Sequence, residues 1–204
     1  MRTWKDIQME VLGLLFSRTN NGRLAQLSDQ NVLDYVNEMP DAANAAMRDI
    51  AANAVPLVRS LDVEVTDGER VNLRTETMDG NDVRFIRLSS VLSLEPYAPL
   101  HGYQFEAPYT IIFPEAGKYR VLYEAYPEAI TKDTADDYVN FELPPDAMDA
   151  ILYRMAWQLY LDDDISVATS YLNLYYERRE ELMKNYKYAQ PTFSGGFTST
   201  TGWS

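Results

Sequence analysis

Residues 143–190 read LPPDAMDAILYRMAWQLYLDDDISVATSYLNLYYERREELMKNYKYAQ, and this stretch carries two helical patterns joined by an acidic turn. Pro144 and Pro145 preset the first helical turn, and Asp146 lies where the helix dipole favours a negative charge. The apolar residues that follow recur at helical spacing: Met148, Ile151, Leu152, Met155, Ala156 and Leu159. We therefore predict a helix with one buried face.

The acidic turn, Asp162–Asp164, is predicted to end this helix and to cap the next one. A calcium loop would need alternating oxygen ligands, a central glycine and a distal bidentate acid, and that spacing is missing. The second helix carries Ile165, Ala168, Leu172, Tyr175, Tyr176, Leu182 and Met183. The simplest interpretation is that the Met and Tyr side chains on one face of each helix belong to the hydrophobic core. The chain has 15 tyrosines, however, more than one small core needs, and tyrosine suits interfaces with one wet end.

The first 60 residues also indicate helices. Thr3 and Asp6 approximate a capping box for a helix that should end at Asn20–Gly22. A second helix should start near Ser28. Pro40 is predicted to close it and to open a third, alanine-rich helix, because proline has no N–H for the helical ladder.

From Leu61 the pattern changes to extended segments: LDVEV, VNLRTET, VRFIRL, YTIIF and KYRVLYEAY. Thr66–Gly68 and Met78–Asp82 separate some of them as turns. The predicted fold class is therefore α+β, a helical bundle built from the N- and C-terminal helices with an inserted β-rich domain. The expected division is residues 1–60 for the first helices, 61–127 for the β-rich insertion, 128–188 for an acidic connector and the last helices, and 189–204 for a flexible aromatic tail.

Composition excludes several kinds of chemistry. The chain of 204 residues has no cysteine, so disulfides, thiolate zinc sites and cysteine nucleophiles are ruled out. The single histidine, His101, cannot build a multi-histidine metal site. No catalytic motif is present, and we predict no catalytic residue, no metal and no cofactor.

No apolar run reaches about 20 residues, and the start lacks the order of a signal peptide. We expect no membrane contact and synthesis in the cytoplasm.

The net charge of −13 argues against free DNA as a partner, because non-specific affinity for DNA comes from Lys and Arg.

Residues 192–204, by contrast, carry no charge. Their aromatic side chains would each release roughly 1.5–3 kcal/mol if fully buried. A disordered terminus is the alternative. We predict instead that the tail docks on a partner, by strand addition or aromatic anchors, through Phe193, Gly195, Gly196, Phe197 and Trp203.

The helical segments resemble a known family, the head-to-tail adaptor proteins of tailed bacteriophages, also called head completion or connector proteins. The resemblance lies in Leu143–Pro144, Ala156–Leu159, the acidic turn and the Tyr/Leu-rich Tyr171–Lys184. It does not cover residues 61–126. It implies a structural protein rather than an enzyme, made in the host cytoplasm and located in the virion neck. It further implies a homo-oligomeric ring, commonly dodecameric, that lies under the portal, extends the DNA channel and docks the tail.

The implied partners are the portal protein and stopper or tail proteins, with DNA passing through the channel without sequence-specific binding. One alternative is another neck or tail component, such as a stopper or a tail-completion protein. Another, of a different class, is a peptidoglycan-cleaving enzyme that uses acids near the connector. A self-complementary ring surface without turnover would favour the adaptor. Cell-wall activity lost on one carboxylate change would favour the enzyme.

Overall fold

The structure, a computed structural model, describes residues 3–16, 26–79, 82–106, 108–134 and 141–187. Helices lie at both ends of this chain and antiparallel strands lie between them, so the predicted α+β class is confirmed. The long helices are α1 (Trp4–Leu15), α2 (Leu33–Asn53), α4 (Met148–Tyr160) and α5 (Ile165–Leu182), and α3 (Leu73–Glu76) is a single turn. A 3-10 turn precedes α2 (Gln30–Val32) and α4 (Pro145–Ala147), and a π-helical turn, Met183–Lys187, follows α5.

Helix α1 has the predicted capping box at its start. The Thr3 hydroxyl accepts from the Asp6 N–H at 3.1 Å, and the Asp6 carboxylate accepts from the Thr3 N–H at 2.8 Å. The predicted end at Asn20–Gly22 is wrong, because the helix ends at Leu15. Phe16 leaves the helical conformation and its ring meets Tyr35 edge-on at 5.1 Å. The proposed cap residues Asn20–Gly22 lie outside the described residues.

Helix α2 continues through Pro40, so the predicted break is wrong. An interior proline costs about 3 kcal/mol, because it removes one hydrogen bond and crowds the preceding turn. Burial outweighs that cost. Each large apolar side chain that is buried contributes about 1.5–3 kcal/mol, and a continuous stripe on both sides of Pro40 is buried. The stripe consists of Met39, Ala42, Ala43, Ala46, Met47 and Ile50.

Helix α4 supplies the centre of the helical core. All the side chains predicted to form its buried face are buried, and they belong to one hydrophobic cluster with residues of α1, α2 and α5. The members from α1 are Trp4, Ile7, Val11, Leu12 and Leu15. The first and last helices therefore share one core.

The strands of the described residues form three antiparallel sheets. The largest has the order β1-β9-β5-β6, where these strands are Val58–Val65, Gly117–Ala125, Phe85–Leu94 and Tyr97–Pro99. The second has the order β2-β8-β7, with strands Arg70–Asn72, Thr110–Ile112 and Gln104–Glu106. Strands β3 (Met78–Asp79) and β4 (Asp82–Val83) form a hairpin. A second hydrophobic cluster joins the two larger sheets: Val65, Val71, Leu73, Phe85, Val91, Ile111, Phe113, Tyr119 and Val121.

The extended pattern predicted for residues 71–77 is wrong after Asn72, where α3 begins. The Asn72 side chain accepts from the Arg74 N–H at 3.0 Å, which starts a helical turn. The Thr77 hydroxyl closes the turn on the Leu73 carbonyl at 2.7 Å. The turn predicted at Thr66–Gly68 is confirmed, and Gly68 supplies the positive φ of 69°.

Glu142 joins the helical part to the sheets. Its carboxylate accepts from Arg59 of β1, from Arg84 at 2.5 Å and from the Glu128 N–H at 2.9 Å. Its side chain is only 11% exposed. Its φ of 53° is left-handed, which costs a non-glycine residue about 1–2 kcal/mol. The charged contacts hold that conformation, and the chain enters the turn before α4 directly afterwards.

Leu152→Ala tests the helical core. Leu152 is 7% exposed, so its truncation leaves a cavity and should lower the free energy of unfolding by about 2–5 kcal/mol. Leu161→Ala is the matched control, because Leu161 is 38% exposed, and it should cost about 0.5 kcal/mol or less. Urea unfolding measures both. Equal costs would show that the α4 face is not core.

Glu142→Gln tests the junction. The change keeps the shape of the side chain but removes the negative charge that faces Arg84 in a largely buried place. We expect a loss of about 3 kcal/mol in the free energy of unfolding, the low end for breaking a buried ion pair. The control is Glu95→Gln, which breaks the exposed pair with Lys118 and should cost under about 1 kcal/mol. A loss no larger than the control's would contradict the role given to Glu142.

Candidate interaction surface

Helix α5 lies on the rest of the protein along a narrow stripe. Of its residues, Ala168, Tyr175 and Leu182 are buried, and they repeat every seventh position. Tyr171, Leu172 and Arg179 flank the stripe and are half-buried. The remaining side chains of the helix are exposed. A helix packed on one line of side chains leaves most of its circumference available to other molecules.

The acidic turn fixes where α5 begins. The Asp164 carboxylate accepts from the N–H groups of Ser166 at 2.9 Å and Val167 at 3.1 Å, so the predicted capping role is confirmed. Asp163 accepts the hydroxyl of Tyr35 on α2. Within the described part of the chain, no three acidic or histidine side chains come together as metal ligands.

Tyrosine hydroxyls hold α5 and its extension to the other helices. Tyr175 donates to Asp49 of α2, and Tyr171 donates to the Leu14 carbonyl of α1 at 2.5 Å. Tyr186 donates to Asp146 at 2.9 Å, just before α4. Each ring packs on apolar side chains while its hydroxyl reaches a polar partner. Several of the 15 tyrosines thus position a surface helix.

These contacts change the acidity of the hydroxyls. Burial, together with the hydrogen bond and the charge of Asp163, raises the pKa of Tyr35 to about 12. Burial and the Asp49 carboxylate raise the pKa of Tyr175 as well. The hydrogen bond to Asp146 is the main cause of the raised pKa of Tyr186. A phenol that faces a carboxylate keeps its proton, because ionisation would place two negative charges together.

Stacked arginines stiffen the same region. The Arg179 guanidinium lies 5.0 Å from the centre of the Tyr176 ring and 3.5 Å from the Asp49 carboxylate. The Arg154 guanidinium lies 4.0 Å from the centre of the Trp157 ring on α4. Such contacts contribute on the order of 0.5–1 kcal/mol each at exposed sites. The contact between Arg179 and Asp49 joins α5 to α2.

Exposed apolar residues occupy both flanks of α5. Ile165 and Tyr176 lie on one side of the buried stripe, and Ile165 is 70% exposed. Val167 and Leu174 lie on the other side, with Leu174 39% exposed. The residues from Ile165 to Tyr176 include no charged side chain, although the whole protein carries −13. An uncharged, apolar surface on an acidic protein is typical of a protein–protein contact.

The sequence prediction for this helix was partly wrong. Ala168, Tyr175 and Leu182 are core as predicted, but Ile165 and Tyr176 are exposed. The sequence does contain a pattern that indicates an exposed apolar surface on this helix. Val167 and Leu174 place apolar residues on a third side of the helix, and a helix with one core-facing stripe has no need of them.

The other predicted site lies beyond the described chain. The tail residues Phe193, Gly195, Gly196, Phe197 and Trp203 all follow Lys187, the last described residue. Their docking stays a prediction. None of the described helices is long and apolar enough to cross a bilayer.

The sequence matches the model of one known protein family over nearly its whole length. The family described as SU10 adaptor protein matches residues 2–196. The match includes the β-rich residues 61–126, which the resemblance seen in the helical segments did not cover. No curated protein matches the chain.

The Tyr35 contact predicts a loss of stability in alkali. The unfolded chain releases this proton near pH 10.0, while the folded chain holds it to about pH 12. The contribution of the Tyr35 contact to the free energy of unfolding is therefore fully present below pH 10.0, and it is lost as the pH rises to about 12. Tyr35→Phe should flatten the fall in the free energy of unfolding across that range. Denaturant unfolding at a series of pH values measures it.

The matched control is Tyr97→Phe, which removes an exposed hydroxyl on β6. Absorbance of tyrosinate in the folded protein gives an independent measurement, since Tyr35→Phe should remove a late-titrating group. An identical slope in the two variants would show that Tyr35 does not hold its proton against Asp163.

Proposed function

The chain belongs to the SU10 adaptor protein family, and we propose that it is the structural head-to-tail adaptor in the neck of a tailed phage. The family is one of phage adaptor proteins, so the adaptor resemblance of the helical segments is confirmed. Adaptors work by contact rather than by chemistry. The observation that carries the finer proposal is the uncharged apolar surface on both flanks of α5.

Two different apolar surfaces on one helix can join identical subunits into a ring. A contact between unlike surfaces leaves one surface free on each partner, so it adds further copies until a rotation closes the assembly. We place the Ile165 flank of one subunit against the Leu174 flank of the next. The dodecameric ring under the portal that the adaptor resemblance implies would be built in this way.

The charge of the protein suits a channel. A ring of subunits that each carry −13 offers few cations to the phosphates of passing DNA. DNA would then pass without being held and without its sequence being read. The partners of the ring would be the portal on one side and stopper or tail proteins on the other.

The tail supplies the second set of contacts in this proposal. Phe193, Phe197 and Trp203 would anchor on the portal or on a neighbouring subunit in the assembled neck, and Gly195 and Gly196 would let the backbone approach. The two separate hydrophobic clusters support two units, one made of residues 1–60 with 128–188 and one made of residues 61–127. The second unit would present its sheets to a neighbouring component.

The ring proposal is tested by charge substitutions on α5. Leu174→Asp and Ile165→Asp should each abolish the ring, because a carboxylate would be buried without a partner. The matched controls are Asn173→Asp and Ser166→Asp, which add the same charge one position away on the polar side. Assembly is measured by light scattering and electron microscopy, with the protein alone and with purified portal. Circular dichroism confirms that each variant is folded.

Mixing the two defective variants sharpens the test. Each keeps the flank that the other has lost, so Ile165→Asp with Leu174→Asp should restore one contact and give dimers but no ring. If wild-type protein forms no ring with or without portal, the proposal is wrong. If all four variants assemble as well as the wild type, α5 is not the interface.

A further inference from the structure

Strand β1 lies at one edge of the largest sheet of the described chain. It pairs with β9 along its whole length, from Val58↔Glu124 to Val65↔Gly117. No strand among the described residues pairs with its other side. Alternate residues of an edge strand direct their N–H and C=O groups away from the sheet. An eight-residue edge of this kind is a template for another strand unless something covers it.

The side chains at this edge form two distinct faces. Val58, Ser60, Asp62 and Glu64 are exposed, and Asp62 is paired with Arg120 of β9 at 2.6 Å. On the other face, Leu61 and Val63 pack against the second hydrophobic cluster but stay only partly buried. An added strand with a polar side and an apolar side would complete the cover of Leu61 and Val63.

The described chain ends beside the beginning of β1. The Lys187 ammonium lies 3.3 Å from the Asn53 carbonyl at the end of α2, and β1 follows that helix directly. Tyr186 is bound to Asp146, and nearby Glu142 holds Arg59 of β1. These contacts bring the C-terminal end of the described chain to the junction from which β1 also starts. The residues beyond Lys187 therefore start from a contact with Asn53, five residues before the first residue of β1.

The tail has the alternation that this edge requires. Its aromatic residues Phe193, Phe197 and Trp203 all occupy odd positions, so they lie on one side of an extended chain. The even positions from 192 to 204 hold only Thr, Ser and Gly. No charge in this segment opposes the acidic residues of β1. Threonine and phenylalanine are also residues that favour strands.

We propose that, in the free subunit, the tail adds as a strand to the β1 edge of its own chain. The inference goes beyond the proposed function, since it concerns the protein before assembly. Val58 is five residues after Asn53, and Thr192 is five residues after Lys187. A parallel pairing in which Thr192 lies beside Val58 places Ser60 beside Ser194. Phe193 then lies beside Arg59, and Phe197 beside Val63.

This arrangement resolves a problem of the free subunit. An exposed edge strand promotes edge-to-edge aggregation, and exposed phenylalanines do the same. Docking in the same chain covers both, and short connections favour it over docking in another copy. The tail would be released when the neck assembles and its aromatic side chains reach their partner. The β1 edge would thus stay covered by the tail until the neck assembles.

Engineered cysteines test the pairing, because the chain has none of its own. Ser60→Cys combined with Ser194→Cys places both thiols on the polar face at adjacent positions. Mild oxidation of dilute, full-length protein should give an intrachain disulfide, detected as a faster monomer band without reductant. The matched control is Ser60→Cys with Gly195→Cys, one residue along but on the opposite face, which should couple several-fold more slowly.

Hydrogen exchange provides a second measurement. Truncation after Gln190 should speed exchange in residues 58–65 several-fold and leave α4 unchanged. Equal coupling at positions 194 and 195, no coupling at either, or unchanged exchange in β1 would overturn the proposal. Interchain disulfides would show that the tail occupies a neighbour's edge instead, which also overturns it. Ring assembly could be normal in all these cases, so failure here leaves the proposed function separately testable.

Discussion

The carboxylate of Glu142 is the point at which the helical core and the sheets meet. It binds Arg59 on β1, Arg84 just before β5 and the Glu128 N–H, and the chain turns from it into α4. The left-handed backbone at Glu142 is unfavourable by itself, so the contacts must supply the stabilisation. The position of α4 determines that of α5, and the end of α5 brings the chain back to the same junction. Glu142 thus helps to set the direction of the candidate interaction surface relative to the sheets.

Hydrogen bonds supplement the narrow core that holds helix α5 in place. Its buried stripe is narrow, whereas Tyr35, Tyr171, Tyr175 and Tyr186 each make a hydrogen bond that joins α5 or its flanking turns to another helix. Hydrogen bonds to charged groups contribute about 1.5–3 kcal/mol each, and the three tyrosines that reach aspartates are of this kind. This anchorage needs little apolar area. It therefore leaves Ile165, Val167 and Leu174 available for a partner while the helix stays ordered.

Local patterns predicted the features that local physics controls. The Thr3 box, the Asp164 cap and the buried face of α4 all depend on residues within a turn or two, and all three are confirmed. The errors arose where distant packing decided the outcome. Pro40 stays helical because α4 covers its neighbours, and Leu73 turns into a helix because it is buried in the sheet core. For α5, periodicity identified apolar positions but could not show that the body of the protein covers only one stripe. The tail site could be named from composition, and its structural environment lies outside the described chain.

Charge distribution ties these observations to assembly. Two like charges 4 Å apart at a protein surface repel by about 4 kcal/mol, more than one apolar side chain gains by burial. Subunits that each carry −13 repel one another least where both surfaces lack charge. Residues 165–176 of α5 and residues 192–204 of the tail meet that condition. Acidic residues near α5 are occupied in caps and tyrosine contacts, at Asp164, Asp163 and Asp49. These three acids are therefore engaged in contacts within the subunit.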